Sequence, residues 1–139
     1  ASGEAAAVAS RIPGNRFVAE GKWDEAQKAY EPLRARDPQN PWIRYRLAYL
    51  DFSRGRPDAA LPVFIALSAA GKTVAENIRA QSLLHVGRIH DLAGRRADAR
   101  KAYQQVVDDF PKLAAASTAK VGLITPYHRP VMSTATNSR

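Results

Sequence analysis

Three stretches of this chain are versions of one another, and that limits its fold more than any other feature. Gly21-Lys-Trp-Asp-Glu-Ala26-Gln-Lys-Ala-Tyr30, Gly55-Arg-Pro-Asp-Ala-Ala60-Leu-Pro-Val-Phe64 and Gly94-Arg-Arg-Ala-Asp-Ala99-Arg-Lys-Ala-Tyr103 each place Ala five residues after Gly and an aromatic four residues after Ala. Gly21 and Gly55 lie 34 residues apart; Gly55 and Gly94 lie 39 apart, the same period with five residues inserted. Pro38 and Pro111 each follow their aromatic by eight residues, whereas the middle unit lacks that Pro and carries Gly71-Lys72-Thr73 in a longer loop. A period of this size is the mark of stacked supersecondary units.

The spacing predicts helix–turn–helix units. Gly at each turn permits φ > 0 between two close helices. Ala26, Ala60 and Ala99 stand where paired helices approach most closely, and a larger side chain would push them apart. Tyr30, Phe64 and Tyr103 lie one turn later and fill the space between neighbouring units. Pro38 and Pro111 stop the second helices. One such hairpin cannot bury its apolar face alone, but a stack can. Helices are predicted over 14–20, 23–36, 41–54, 57–70, 75–93, 96–109 and 112–124. Pro41 and Pro57 suit a first helical turn; Pro62 follows one, and Pro32 should bend the helix that contains it. Pro13 and Gly14 break helices, so the first helix of the first unit either is short, starting near Gly14, or has lost an upstream region; residues 4–11 can form a separate helical turn or two. Over 112–124, Leu113, Ala116, Lys120, Leu123 and Ile124 recur near helical spacing, as in a helix that caps the last unit. Residues 125–130 read as extended, and the small polar residues 131–139 as disordered on their own. The expected organisation is an N-terminal extension (1–13), a repeat domain with its capping helix (14–124) and an extended tail (125–139).

The pattern resembles the tetratricopeptide repeat, a 34-residue helix–turn–helix unit with a small residue in the first helix, Gly at the turn, Ala and an aromatic in the second helix, and Pro at the exit. Ala48 and Gly87, preceded by Leu47 and Val86, match the small residues of the first helices in units two and three. The resemblance covers about 14–111. It implies an all-α, right-handed α-solenoid of three helix–turn–helix repeats plus a C-terminal capping helix. It also implies a non-enzymatic scaffold that binds a peptide or protein segment in its concave groove, where residues matching Trp42, Tyr45, Tyr49 and Phe52 line the wall. Arg11, Asn15 and Arg46 fall on positions resembling part of the carboxylate clamp of some members, but the matching third-unit positions hold Gln81 and His85 rather than two bases.

The residues allow the groove reading beside a plainer one. Over Pro41–Phe52, Ile43, Leu47 and Leu50 form one helical stripe, and Trp42, Tyr45, Tyr49 and Phe52 form a second. An aromatic row suits an extended, helical or Pro-rich peptide; it equally suits a helix buried on most sides. The 21 Lys and Arg against 13 Asp and Glu give a formal charge of +8, which favours acidic partners. Arg44, Arg46, Arg79 and Arg88 would make a groove basic, with Arg46 and Arg88 as the charge contacts. Arg and aromatics alternating over 42–52 also raise nucleic acid as a lesser alternative. A further alternative is a subunit of a homo- or hetero-polymeric assembly that uses solenoid ends and tails.

Composition removes several chemistries. The absence of Cys excludes disulfides, thiol nucleophiles, Fe–S clusters and thiolate zinc sites. His85 and His90 are five residues apart and point to different helix faces, so with Asp91 they read as packing residues, not as a metal site or catalytic pair. Gly71-Lys72-Thr73 lacks the earlier Gly and the preceding strand of a phosphate loop, and no Ser shows a nucleophile arrangement. No cofactor is expected. No apolar run reaches the ~18 residues of a membrane span. The opening Ala1-Ser2-Gly3-Glu4 resembles what signal peptidase leaves, as well as what tag removal or excision leaves; an exported location is favoured over a cytoplasmic one.

Overall fold

A computed structural model of the chain describes residues 17–129. The extension 1–13 with Arg11 and Pro13, the first residues of helix 14–20 with Asn15, and residues 130–139 lie outside the described residues. Residues 17–19 are helical. Six α-helices follow among the described residues: α1 (Trp23–Arg36), α2 (Pro41–Ser53), α3 (Pro57–Ser68), α4 (Glu76–Leu92), α5 (Arg96–Asp109) and α6 (Ala114–Ile124). The architecture is an α-solenoid of helix–turn–helix repeats, with α2–α3 and α4–α5 as the second and third units.

The repeated residues do what their spacing requires. Gly21, Gly55 and Gly94 turn the chain between paired helices with φ of 74°, 89° and 78°, a region that costs other residues a Cβ clash. Ala26, Ala60 and Ala99 are fully buried at the helix crossings, and Tyr30, Phe64 and Tyr103 are the largest fully buried side chains. Gly87 and Gly122 let Tyr103 in: a Cβ on Gly87 would lie 2.5 Å from its ring, and one on Gly122 2.8 Å from the opposite edge. The ring is therefore clamped between α4 and α6.

Several boundaries differ from the expected ones. α3 ends at Ser68, and Gly71–Thr73 forms a 3₁₀ turn, because Gly71 takes φ 66° and ends the α-helical path. α4 is one residue shorter at each end than expected. α6 starts at Ala114 rather than 112, after an extended Leu113. The capping face also differs. It consists of Ala115, Ala116, Ala119 and Gly122, while Lys120 and Ile124 are exposed; the bulk comes from Tyr103 below, so α6 must present small residues. α1 runs through Pro32, and α3 through Pro62; both prolines are exposed.

Candidate functional site

The first helices of units two and three present facing rows. α2 begins at Asn40, whose side chain accepts from the Trp42 and Ile43 amides at 2.9 and 3.4 Å, with Pro41 in the first turn; this cap fixes the register of α2. Its row is Trp42, Tyr45, Arg46, Tyr49 and Phe52. Opposite, α4 offers Ile78, Gln81, His85 and Arg88 at three- and four-residue steps.

The middle of this face is filled. Tyr45 and Tyr49 stack with centroids 6.3 Å apart. His85 sits among Tyr45, Tyr49, Phe52 and Phe64, at 4.9 to 6.1 Å from each ring. It is 2 % exposed, and its Nδ1 finds no hydrogen-bond partner. Burial, with a smaller contribution from the Arg88 charge, pushes its pKa down to about 3, so the ring is neutral. Burial likewise raises Tyr45 to about 12. The aromatic stripe thus divides: Tyr45 and Phe52 are buried, and Trp42 and Tyr49 are half-buried. The packing reading holds for Tyr45 and Phe52, while Trp42 and Tyr49 keep part of their surface exposed.

The N-terminal end of the face is open. Trp42, Tyr45, Arg46, Asn77, Ile78 and Gln81 line a cleft of about 200 Å³. The Arg46 guanidinium lies 5.7 Å from the Trp42 ring and 5.8 Å from that of Tyr45. Its Nε is buried without a hydrogen-bond partner, and no carboxylate pairs with it among the described residues. Arg44, two positions earlier, is half-buried. Arg79 turns instead to the Val74 carbonyl and the Phe110 ring, so it does not join this end.

The C-terminal end is covered by the chain's own residues 125–129. The Tyr127 ring packs on Phe52 at 6.1 Å and lies 4.9 Å from the Arg88 guanidinium. Arg129 sits 5.0 Å over the Phe52 ring and donates to the Phe52 carbonyl at 2.6 Å. The Tyr127 amide donates to Asp91 at 2.9 Å. Arg88, expected as a charge contact, lies against the Tyr127 ring and is half-buried. A cleft of about 210 Å³ remains beneath this segment, against Leu84, Tyr103 and Gly122.

Asp91, read from the sequence only as a packing residue beside the two histidines, is the centre of a hydrogen-bond network. Its carboxylate is 1 % exposed. It accepts from Tyr103 Oη at 2.8 Å, from Arg96 Nη1 at 3.0 and 3.1 Å, and from the Tyr127 amide. Arg96 also donates to the Gly122 and Leu123 carbonyls, and Arg100 to Leu123, which satisfies the open end of α6. His90, expected in a packed interface, is half-buried instead and accepts from Arg95 at 2.9 Å; burial and then the Arg95 charge lower its pKa. The described residues hold no group of three metal-ligating side chains and no helix long and apolar enough to cross a membrane.

Two family models, both described as tetratricopeptide repeat, match residues 17–85 and 81–112. No curated protein and no solved structure matches the chain.

Proposed function

The chain belongs to the tetratricopeptide repeat family, whose repeats generally mediate protein–protein interactions, and from that premise we propose a non-catalytic scaffold that takes a peptide or protein segment along the face between α2 and α4. The observation that carries this is the open end of that face. A guanidinium held over two aromatic rings at a cleft, with no carboxylate pairing with it among the described residues, is prepared for a carboxylate or amide of another chain. Trp42 supplies the adjoining apolar wall, with Tyr45 beside it in the cleft. The +8 formal charge adds long-range attraction for an acidic segment. Phe52 and Arg88 extend the same surface under the tail.

The test is a peptide library selected against the full chain. Selected peptides should lose at least about tenfold in affinity on Trp42→Ala or Arg46→Gln, with the helical circular dichroism unchanged. Peptides that bind both variants as well as the parent refute the groove.

A second reading, a subunit of a polymeric assembly, is favoured by one feature. Val121 and Ile124 on the outer side of α6 are 63 % and 83 % exposed, whereas a terminal solenoid face is usually polar. Mass measured by light scattering should then rise with concentration and cease to rise with Ile124→Lys.

A further inference from the structure

The C-terminal end of the groove shows what it accepts. Thr125 ends α6 in an extended conformation, and Pro126 favours its continuation. The chain then crosses to α2, bringing Arg129 to a carbonyl 77 residues away in sequence. The contacts it makes there are of the kind made by bound peptides. A main-chain amide meets a buried carboxylate, one ring meets another under a guanidinium, and a second guanidinium meets a carbonyl in the last turn of α2. A cation at that position is favoured by the helix dipole. The segment is also weakly enclosed: Pro126 and His128 are exposed, and Tyr127 and Arg129 are only half-buried. It is seated without belonging to the core.

We propose that residues 126–129 are an internal ligand of the groove. The Phe52, Arg88 and Asp91 end reads an extended segment carrying an aromatic ring and, two residues later, an arginine. A partner segment of that chemistry binds there only by displacing the chain's own. This rests on the reading of the α2–α4 face as the binding surface. The two ends of that face then differ in selectivity: the Arg46 end suits a carboxylate or amide, and the Phe52 end an aromatic and a cation. Tethering at such short range gives the internal segment an effective concentration of the order of millimolar, so an outside segment must bind more tightly than that or arrive anchored at the Arg46 end.

The experiment uses the full chain and a synthetic peptide, Thr-Pro-Tyr-His-Arg-Pro, matching residues 125–130. Binding is followed by the NMR shifts of Phe52, Arg88 and Trp42 up to about ten millimolar peptide, above the effective concentration of the tether. In the Tyr127→Ala/Arg129→Ala chain the peptide should move Phe52 and Arg88. The parent chain should need at least ten times more peptide for the same shifts. Tyr127→Phe should resist the peptide as the parent does, because the ring makes the contact. Equal binding to parent and double variant, no binding to the double variant, or peptide capture by Tyr127→Phe would overturn the proposal. So would a concentration-dependent dimer of the parent that the double variant loses, since the segment would then lie on a second copy. Shifts at Trp42 with a library-selected peptide test the groove reading separately, and those can persist while the internal ligand fails.

Discussion

Tyr103 joins three elements through one side chain. Its ring lies between Gly87 and Gly122, and its hydroxyl is held by Asp91, so the ring cannot withdraw from a methyl group added on either side. Gly87 is helical, and Ala there would gain about 1 kcal/mol in helix propensity. Overpacking against a fixed ring costs about 1–3 kcal/mol. Gly87→Ala is therefore expected to lose up to roughly 2 kcal/mol net, read as a lowered urea midpoint at constant slope. In a Tyr103→Leu background the same change should become neutral or stabilising, because the clash is gone. His85 gives a second residue-scale prediction. Its folded pKa is about 3 against about 6.5 in an unfolded chain. Between those values the unfolded state binds a proton that the folded state refuses. The contribution is fully present above about pH 6.5 and is lost as pH falls toward 3, by up to roughly 1.4 kcal/mol per pH unit. His85→Phe keeps a ring among the same four aromatics and removes the titration. Denaturation at pH 7, 5.5 and 4 should show a smaller loss for this variant than for the parent.

At the scale of elements, helix ends decide how the face is built. Of the six helices, α2 is the one whose N-terminus receives a side-chain cap. Asn40→Ala should cost about 1 kcal/mol and speed amide exchange at Trp42 and Ile43, since those two N–H groups lose their acceptor. At the other end of the molecule, Asp91 and Arg96 tie α4, α5 and α6 together. Asp91→Asn leaves the guanidinium without its charge partner. The loss should be roughly 2–4 kcal/mol, below the range for fully buried pairs, because the Arg96 side chain keeps 30 % exposure. Thermal unfolding at fixed pH measures it. These elements also show what a sequence discloses. Gly21, Gly55 and Gly94 mark turns by a backbone requirement, so the starts of α1, α3 and α5 were legible from spacing alone. The face of α6 was not, because periodicity follows hydrophobicity, and this contact selects for smallness beneath Tyr103. Tyr127 and Arg129 carried no signal either, since an extended segment of five residues has no period to read. Their partners Phe52 and Arg88 were singled out in the sequence as proposed groove residues, but their contacts with Tyr127 and Arg129 were not legible.

Among the described residues most of the buried apolar side chains fall into two groups. A small one joins Val18, Ala26, Tyr30 and Leu50; a large one runs from Tyr45 and Phe64 through His85's neighbours to Tyr103, Val106 and Ala119. Tyr49 touches both. In a solenoid each unit is stabilised mainly by its neighbours, so the two groups need not open together. The small group has fewer apolar side chains to lose, and the buried residues of α1, Ala26 and Tyr30, both belong to it. Tyr30→Ala should remove most of what holds α1, about 3–5 kcal/mol by the usual large-to-small scale. Amide exchange over 23–36 should then approach the unfolded rate, while 76–109 stays protected. Phe64→Ala strikes the large group where α2, α3 and α4 meet, beside Tyr45 and His85, and should raise exchange from α2 through α5 together. If Tyr30→Ala instead releases all helices at one rate, the chain folds as a single cooperative unit. The open Arg46 end and the tail-covered Phe52 end of the face would then be energetically coupled. If the two regions separate as expected, a ligand at the Arg46 end can stabilise α2 without first displacing the segment at the other.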